Sequence, residues 1–276
     1  MKPIILIDRA ASILTCFTPE KVELSAAEIS RKVGIPNTTA HRMLAALIQN
    51  GLLERNAGNN KYMIGPTMFI LGNLYLQTKD LVKAAEPVTK VLNELTRENI
   101  NVVVLHQGGV LRLIRDESQH TVVANIHVGS VYPPYSSAVG RVLLSELTEA
   151  EIDSLYPEEK LQKITNKTIS TKTELKLLLK QIRETGISFN SGGTFEGVDG
   201  FGALIRGVGG KAIAALGIAL PTYRMNPQKY ELFASLVKMG ASLISYRLGH
   251  KDRVNSISSI DEIHSWWTQN TRDMPV

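Results

Sequence analysis

A helix-turn-helix spacing close to the N-terminus constrains the fold more than any other feature of the sequence. Ser25 and Glu28 stand three residues apart, as in a capping box, where the hydroxyl caps a free helix amide and the carboxylate reaches back. Gly34 supplies a tight turn, and Pro36 is expected in the first turn of the next helix, where its missing amide proton is not needed. The spacing predicts two helices that cross steeply.

Apolar residues recur at helical spacing in three segments, which predicts three helices with one buried side each. These residues are Leu6, Ala10, Ile13, Leu14 and Phe17, then Ala27, Ile29 and Val33, then Ala40, Met43, Leu44 and Leu47. After Gly51, residues 52–55 and 61–64 are typical of two strands joined by the polar tip 56–60, and such a hairpin is a wing. The single cysteine, Cys16, lies beside the first apolar stripe and is expected to be a buried or half-buried small hydrophobe.

The start of the third helix is polar and free of acidic residues. Short donors and acceptors beside an arginine suit contacts with phosphates and base edges in a major groove. Residues 1–65 hold eight basic and five acidic side chains, in a chain with a formal net charge of +5. The candidate DNA-contacting residues are Ser25, Pro36, Asn37, Thr38, Thr39, His41, Arg42, Arg55, Asn59, Asn60, Lys61 and Tyr62. From the residues alone, a small helical subdomain with a solvated face is the alternative.

The run from Gly34 to Leu44, followed by residues 51–54 and 61–66, resembles the DNA-binding half of IclR-type bacterial regulators. One departure is Asn37, where members of the family often carry lysine. The resemblance implies double-stranded operator DNA as a partner. It also implies a homodimer or a dimer of dimers, whose recognition helices enter successive major grooves of a pseudo-palindromic site.

The rest of the chain is predicted to be a sheet flanked by helices. Residues 66–79 are typical of a connecting helix, and Asp80 of the cap of the next one. Predicted strands, including an antiparallel meander after the next helix, cover residues 102–105, 110–114 (after a Gly108-Gly109 turn), 121–128, 186–189, 201–205 and 211–220. Predicted helices cover residues 136–147 and 171–184, and a final helix carries Tyr230 to Leu248. This order resembles the GAF-like effector domain of the same family.

We therefore predict an α+β fold with four parts. They are an N-terminal winged helix-turn-helix domain (1–65), a linker helix (66–80), a C-terminal GAF-like α/β domain with an antiparallel sheet for effector binding and oligomerisation (81–250), and a C-terminal tail (251–276). Trp266 and Trp267 in the tail are expected to pack on a partner surface, either of their own domain or of a neighbouring subunit.

The family resemblance implies an effector pocket between a helix start and the strands that face it. By this resemblance, the residues of this chain that form the pocket are Ala138, Val139, Gly140, Asn190, Gly200, Gly217 and Ala219. Members that bind small carboxylates tend to present acidic, thiol or hydroxyl groups at the last four positions, whereas this chain has one amide and three small apolar residues. The helix start near Ala138 could attract an anion through free amides. A small organic effector is predicted, and a carboxylate, an apolar compound or an aromatic compound are all open.

Several classes of chemistry lack their sequence motifs. The glycines between Gly192 and Gly217 have neither P-loop nor dinucleotide-binding spacing, and no hydrolase or zinc-protease motif is present. One cysteine excludes an intramolecular disulfide or a multi-thiolate metal site. His106, His120 and His127 fall on predicted strands, where an ordinary structural role is favoured over a metal site. We predict no catalytic residue, no metal and no cofactor.

Together these patterns predict a cytoplasmic, sequence-specific DNA-binding transcriptional regulator that a small organic metabolite controls, with repression favoured over activation. No membrane partner is expected. Two alternatives stay open at this point. In the first, the protein binds DNA and its C-terminal domain serves oligomerisation alone. In the second, the protein is a small-molecule enzyme with an accessory helical domain.

Overall fold

The computed structural model describes residues 4–18, 21–120, 131–250 and 257–271. The chain forms two compact units, Met1–Lys79 and Asp80–Val276. None of the helices in the described ranges is both long enough and apolar enough to span a bilayer.

The first unit is a three-helix bundle with a hairpin and a fourth helix. Its elements are α1 (Ile5–Leu14), α2 (Ala26–Val33), α3 (Asn37–Gln49), β1 (Leu53–Arg55), β2 (Tyr62–Ile64) and α4 (Pro66–Gln77). Ile13, Ile29 and Leu44 meet in its core, where Cys16 is also buried, as predicted. Leu6 and Ala27 differ from the prediction, because both are exposed. The core of the bundle reaches α1 only from Ala10 onward.

The helix-turn-helix has the predicted cap at the start of α2, and Pro36 differs from its predicted position by one residue. The Glu28 amide donates to the Ser25 Oγ at 3.3 Å, and the Ser25 amide donates to the Glu28 carboxylate at 2.8 Å, which completes the capping box. Gly34 ends α2 in the left-handed region with a φ of 71°. Pro36 lies one position earlier than expected, before α3, because its ψ of 145° is extended while its carbonyl accepts the first helical hydrogen bond from Ala40.

The hairpin β1–β2 is the predicted wing. Its strands are antiparallel from Leu53↔Ile64 to Arg55↔Tyr62, each one residue shorter at its start than the sequence suggested. Backbone hydrogen bonds in both directions join Tyr62 to Leu24, at 2.8 and 3.0 Å, and fix the wing against the segment before α2. The wing is therefore a rigid part of the first unit.

The second unit is an antiparallel sheet between two layers of helices, as predicted. Its elements are α5 (Asp80–Thr96), β3 (Asn99–His106), β4 (Gly109–Asp116), β5 (Val131–Tyr132), α6 (Ala138–Leu144), α7 (Glu149–Leu155), α8 (Lys172–Thr185), β6 (Ile187–Ser191), β7 (Val198–Arg206), β8 (Ala212–Pro221), α9 (Pro227–Arg247) and α10 (Ile260–Thr271). The six strands are ordered β5-β4-β3-β8-β7-β6. Helix α6 covers one face of the sheet, and α5 and α9 cover the other.

Some boundaries differ from the prediction for local reasons. The two-residue loop between β3 and β4 is Gln107-Gly108, both with positive φ (48° and 78°), so Gly109 already pairs with His106. A 3₁₀ turn, Pro134–Ser136, precedes α6, and the short helix α7 was not predicted. In the tail, α10 packs on α5 and α9 of its own chain. The predicted strand 121–128, with His127, lies outside the described residues.

Candidate DNA-binding surface and effector pocket

The N-terminal half of α3 has one buried side and one polar side. Ala40, Met43 and Leu44 are buried against the bundle. The opposite side presents the predicted polar set to solvent, with Thr39 half-buried and Pro36, Asn37, Thr38, His41 and Arg42 exposed. The first turn contains no acidic residue. This surface combines short hydrogen-bonding groups, an arginine and the positive end of a helix, which suits a phosphate backbone and base edges.

The wing carries a second polar surface. Arg55 is exposed, and its guanidinium lies 5.8 Å from the centre of the Tyr62 ring, while its Nε donates to the Asn60 carbonyl at 3.4 Å. Asn60 and Asn59 are exposed, and Lys61 is half-buried. The tip thus presents a cation beside exposed amide side chains, an arrangement suited to a phosphate backbone.

Besides Arg55, three of the predicted contact residues have structural partners. The Ser25 hydroxyl belongs to the capping box of α2. Tyr62 was predicted to contact DNA, but its ring is buried in the core of the first unit, where it packs against the Arg55 guanidinium. The Asn59 amide donates to the Glu23 carboxylate at 2.7 Å.

Glu23 is a structural residue of the wing that the sequence reasoning missed. Its second carboxylate oxygen accepts a 2.7 Å hydrogen bond from Asn56, so one carboxylate holds both ends of the wing tip. These amide hydrogen bonds lower the pKa of Glu23. No local sequence pattern indicates that Glu23 binds the wing tip, since Glu23 lies more than thirty positions before Asn56 and Asn59 in the chain.

In the second unit, a cavity of about 50 Å³ lies between the sheet and the start of α6. Its wall consists of Asn101, Arg112, Tyr132, Ser137, Ala138, Val139, Asn190, Thr194, Phe195, Val198, Asp199, Gly200, Phe201, Ile218 and Ala219. The family resemblance assigned seven positions to the effector pocket. Five of them line this cavity, namely Ala138, Val139, Asn190, Gly200 and Ala219.

Strand register explains why distant positions meet at this cavity. Asn190 pairs with Gly200, Gly200 with Ala219, and Ala219 with Asn99, which makes one row across four strands. The next row runs through Gly202, Gly217 and Asn101. Because successive residues of a strand alternate between faces, both rows present their side chains to α6.

Gly140 and Gly217 lie beside the cavity and do not line it. A Cβ on Gly217 would stand 2.5 Å from a methyl group of Val139 and 3.0 Å from the Asn101 Oδ1, and a Cβ on Gly140 would collide with the Pro134 backbone. Their role in this chain is close packing of α6 on the sheet and on the preceding 3₁₀ turn. The absence of polar groups at Gly217 is therefore a packing requirement.

Two polar groups of the cavity lie on β3 and β4, which were predicted from the sequence only as apolar strands. Asn101 and Arg112 are only 6% and 3% exposed. The Arg112 Nη2 donates to the Tyr132 Oη at 3.3 Å, and burial lowers the pKa of the guanidinium. A polar residue inside an otherwise apolar strand is the sequence signal that could have identified both.

Several buried polar atoms on this face of the sheet have no hydrogen-bond partner among the described residues. They include the Asn101 Oδ1, the Asn99 Nδ2 and the Ser188 Oγ. Buried side-chain polar atoms in native structures are satisfied in the large majority of cases. Of these atoms the Asn101 Oδ1 belongs to a residue of the cavity wall, so the cavity offers a small ligand a hydrogen-bond acceptor there.

A second buried arginine holds α6 in position. The Arg141 Nε donates to the Tyr135 carbonyl at 2.8 Å, and Nη1 donates to the Phe189 carbonyl at 3.5 Å. Burial lowers the pKa of Arg141 to about 10, so the side chain stays cationic at neutral pH. It ties the helix over the cavity to both the 3₁₀ turn and β6.

Both halves of the chain match models of one protein family. Residues 6–57 match the IclR helix-turn-helix domain, and residues 73–246 match the bacterial transcriptional regulator IclR C-terminal domain. The chain is 26% identical over 250 residues to the HTH-type transcriptional regulator KdgR of Escherichia coli, covering 89% of this chain and 95% of that protein. It is also 26% identical over 243 residues to the transcriptional repressor IclR of the same organism, covering 87% and 89%.

Solved structures share the fold at lower identity. An IclR transcriptional regulator from Alicyclobacillus acidocaldarius aligns with a TM-score of 0.81 at 21% identity, covering 90% of this chain and 100% of that one. An IclR homolog complexed with 4-hydroxybenzoate, from Microbacterium hydrocarbonoxydans, aligns with a TM-score of 0.77 at 23% identity, covering 88% and 99%. With two family models that between them match most of its length, the chain belongs to the IclR family of bacterial DNA-binding transcriptional regulators.

Proposed function

We propose that this protein is a repressor that binds a two-fold-symmetric operator as a homodimer and responds to a small organic effector bound under α6. The observation that carries the DNA-binding part is the exposed, acid-free start of α3 beside the wing. Repression is the activity named for the relative IclR of E. coli. Because a repressor works on the chromosome, a cytoplasmic location belongs to the proposal.

The homodimer is supported by apolar helix surface in the first unit. No residue of α4 is buried, and Phe69, Ile70 and Leu74 are all more than half exposed. Ile5, Leu6 and Ile7 of α1 are likewise exposed. Contiguous exposed apolar surface of this kind marks an interaction site, and a second copy of the chain fits the two-fold symmetry of an operator. Pairs of such dimers can assemble further into a dimer of dimers.

Effector control follows from population shift. A ligand in the cavity changes operator affinity only if it binds one arrangement of the paired DNA-binding units better than the other. The relatives are transcriptional regulators, and the cavity residues are proposed to bind a ligand without converting it. In this proposal Ala138, Val139, Asn190, Gly200 and Ala219 form part of the effector wall.

Selection of operator DNA tests the proposal. Purified full-length protein is used to select sites from random duplex DNA, and the selected site is then titrated with the wild type and with Arg42→Ala. We expect half-sites about one helical turn apart and a loss of affinity of roughly 5- to 150-fold for Arg42→Ala, the range for one lost base contact.

Lys180→Ala, an exposed cation on α8, serves as the matched control and should bind as the wild type does. Failure to enrich any site, or equal binding by Arg42→Ala, contradicts the DNA-binding assignment of α3. If no small molecule alters the affinity for the selected site, the second unit only oligomerises.

A further inference from the structure

Two asparagines of the wing tip (residues 56–60) connect its backbone to Glu23. The Asn56 Oδ1 accepts a 2.8 Å hydrogen bond from the Gly58 amide, and the Asn59 Oδ1 accepts one of 3.0 Å from the Lys61 amide. The Nδ2 atoms of both asparagines donate to the Glu23 carboxylate, each to a different oxygen and each at 2.7 Å. Each side chain therefore ties the backbone of the tip to the same carboxylate.

The conformation of the tip places the candidate phosphate contacts. The Asn56 amide donates to the Lys61 carbonyl at 2.8 Å, and the Asn60 amide donates to the Asn56 carbonyl at 2.9 Å. Asn60 has a φ of 59°, in the left-handed region, and its carbonyl accepts the hydrogen bond from the Arg55 Nε. A non-glycine residue in this region is held there by its surroundings. Loosening Asn56 would therefore displace both Lys61 and the acceptor of Arg55.

Glu23 holds the tip from outside the hairpin. The residue after it, Leu24, is fully buried and exchanges two backbone hydrogen bonds with Tyr62. The carboxylate thus extends from a segment that is fixed to the core of the first unit. The tip is anchored at its base by the strands and at its end by Glu23.

The carboxylate also places a negative charge beside groups suited to phosphate. Attraction between basic groups and the phosphate backbone carries most non-specific DNA binding, so an acid on this surface weakens binding to every duplex. Two amide donors need two acceptor oxygens, which a carboxylate supplies and a glutamine side chain does not. The geometry of the tip therefore accounts for an acid on a surface where its charge opposes DNA.

We propose that Glu23 is a positioning residue that raises the preference of the protein for its operator over other DNA. An operator complex requires one geometry of the wing, and a tip that is ordered before binding avoids the cost of ordering it. A non-specific complex depends on charge, which a loose tip supplies equally well. The inference goes beyond the proposed function and rests on its DNA-binding part.

The ratio of two affinities tests the inference on the full-length protein. Fluorescence anisotropy measures binding to the selected operator and to a scrambled duplex of the same length and composition. Glu23→Gln leaves one acceptor oxygen for two donors, and we expect the ratio to fall about three- to tenfold. Glu54→Gln is the matched control, because it removes the same charge from an exposed residue of β1 outside the tip. It should change both affinities alike and keep the ratio of the wild type.

A double variant separates positioning from direct contact. Asn59→Asp alone places two carboxylates against each other and should lower the ratio as Glu23→Gln does. In Glu23→Gln/Asn59→Asp, the new glutamine donates to the new aspartate while its oxygen still accepts from Asn56, and the net charge equals that of the wild type. We expect this variant to recover the wild-type ratio to within about twofold. Thermal unfolding of each variant shows whether it is folded.

A ratio that falls in both single variants and recovers in the double variant supports the inference. An unchanged ratio in Glu23→Gln, including one that accompanies a lower unfolding temperature, overturns it, as does an equal fall in Glu54→Gln. A double variant that stays as low as Asn59→Asp also overturns it, because Asn59 then contacts DNA directly. These outcomes leave the DNA-binding function standing, whereas a wild type that selects no operator contradicts the proposed function and this inference together.

Discussion

Two glycines of β7, Gly200 and Gly202, face the same helix and have different surroundings. A Cβ on Gly202 would stand 2.8 Å from backbone atoms of Ala138 and Val139 at the start of α6. A Cβ on Gly200 would meet only ordinary contacts, 3.7 Å from a strand carbonyl and 4.0 Å from the Ala138 Cβ. Backbone atoms of a packed helix cannot move aside easily, so the two positions differ in their tolerance of a methyl group.

Gly202→Ala is therefore expected to lower the free energy of unfolding of the second unit by about 1–3 kcal/mol, the usual cost of overpacking. Gly200→Ala should change it by less than about 0.5 kcal/mol, as substitutions without a clash do, and so it is the control. The chain has only two tryptophans, Trp266 and Trp267 on α10, so their fluorescence during urea unfolding reports on the second unit. Equal destabilisation by the two alanines would show that α6 does not press on β7.

The start of α2 depends on a charge as well as on a hydroxyl. The hydrogen bonds from the amide and hydroxyl of Ser25, at 2.8 and 2.7 Å, lower the pKa of Glu28. A carboxylate whose pKa is lower in the folded state stabilises that state above its unfolded pKa. The contribution disappears as the pH falls through the folded pKa.

We expect Glu28→Gln to loosen α2 at pH 7 and to have a smaller effect at pH 3, because the wild-type carboxyl becomes protonated as the pH falls through its folded pKa. Ser25→Ala should loosen α2 at both pH values, by about 0.5–2 kcal/mol, because the bond from the Glu28 amide to the hydroxyl does not titrate. Hydrogen-exchange mass spectrometry of peptides that cover α2, with the variant and the wild type compared at the same pH, measures both effects. A Glu28→Gln effect that is equal at pH 7 and pH 3 contradicts the assignment.

Local sequence patterns predict most of the helices and strands of the first unit, but only some of the residues that line the cavity. Capping by Ser25, the left-handed Gly34 and the apolar stripe of α3 are local signals, and each produced the expected element. The orientation of Arg112 depends on a bulge between two strands, and a shift of one position in register reverses which face a side chain occupies. The contact of Glu23 with the wing is equally long-range, so neither residue could be found from local patterns.

At the scale of the whole molecule, the exposed apolar surface of α4 is the part of the first unit that the proposed homodimer would bury. Phe69 is 75% exposed and lies among other exposed apolar residues of the same helix. A lysine there would have to lose its hydration in any interface between two copies. The spacing of two recognition helices on one operator would then no longer be fixed by contact between the first units.

Phe69→Lys is expected to reduce the preference for a full operator over a single half-site at least tenfold, and affinity titrations against both DNA duplexes measure this ratio. Leu177→Lys changes a residue of α8 that is 63% exposed, so it controls for the added charge and should keep the ratio of the wild type. A ratio that Phe69→Lys leaves intact would place the dimer contact elsewhere on the chain.

The close packing of α6 on the sheet limits where the cavity can be altered without loss of the fold. Gly202 and Gly217 under α6 are constrained by packing, so mutations there threaten the fold before they alter the cavity. Gly200 lines the same cavity without such a clash, so a small side chain there can reshape the cavity while α6 keeps its place. Gly200 is accordingly the first position to vary when the proposed effector site is engineered.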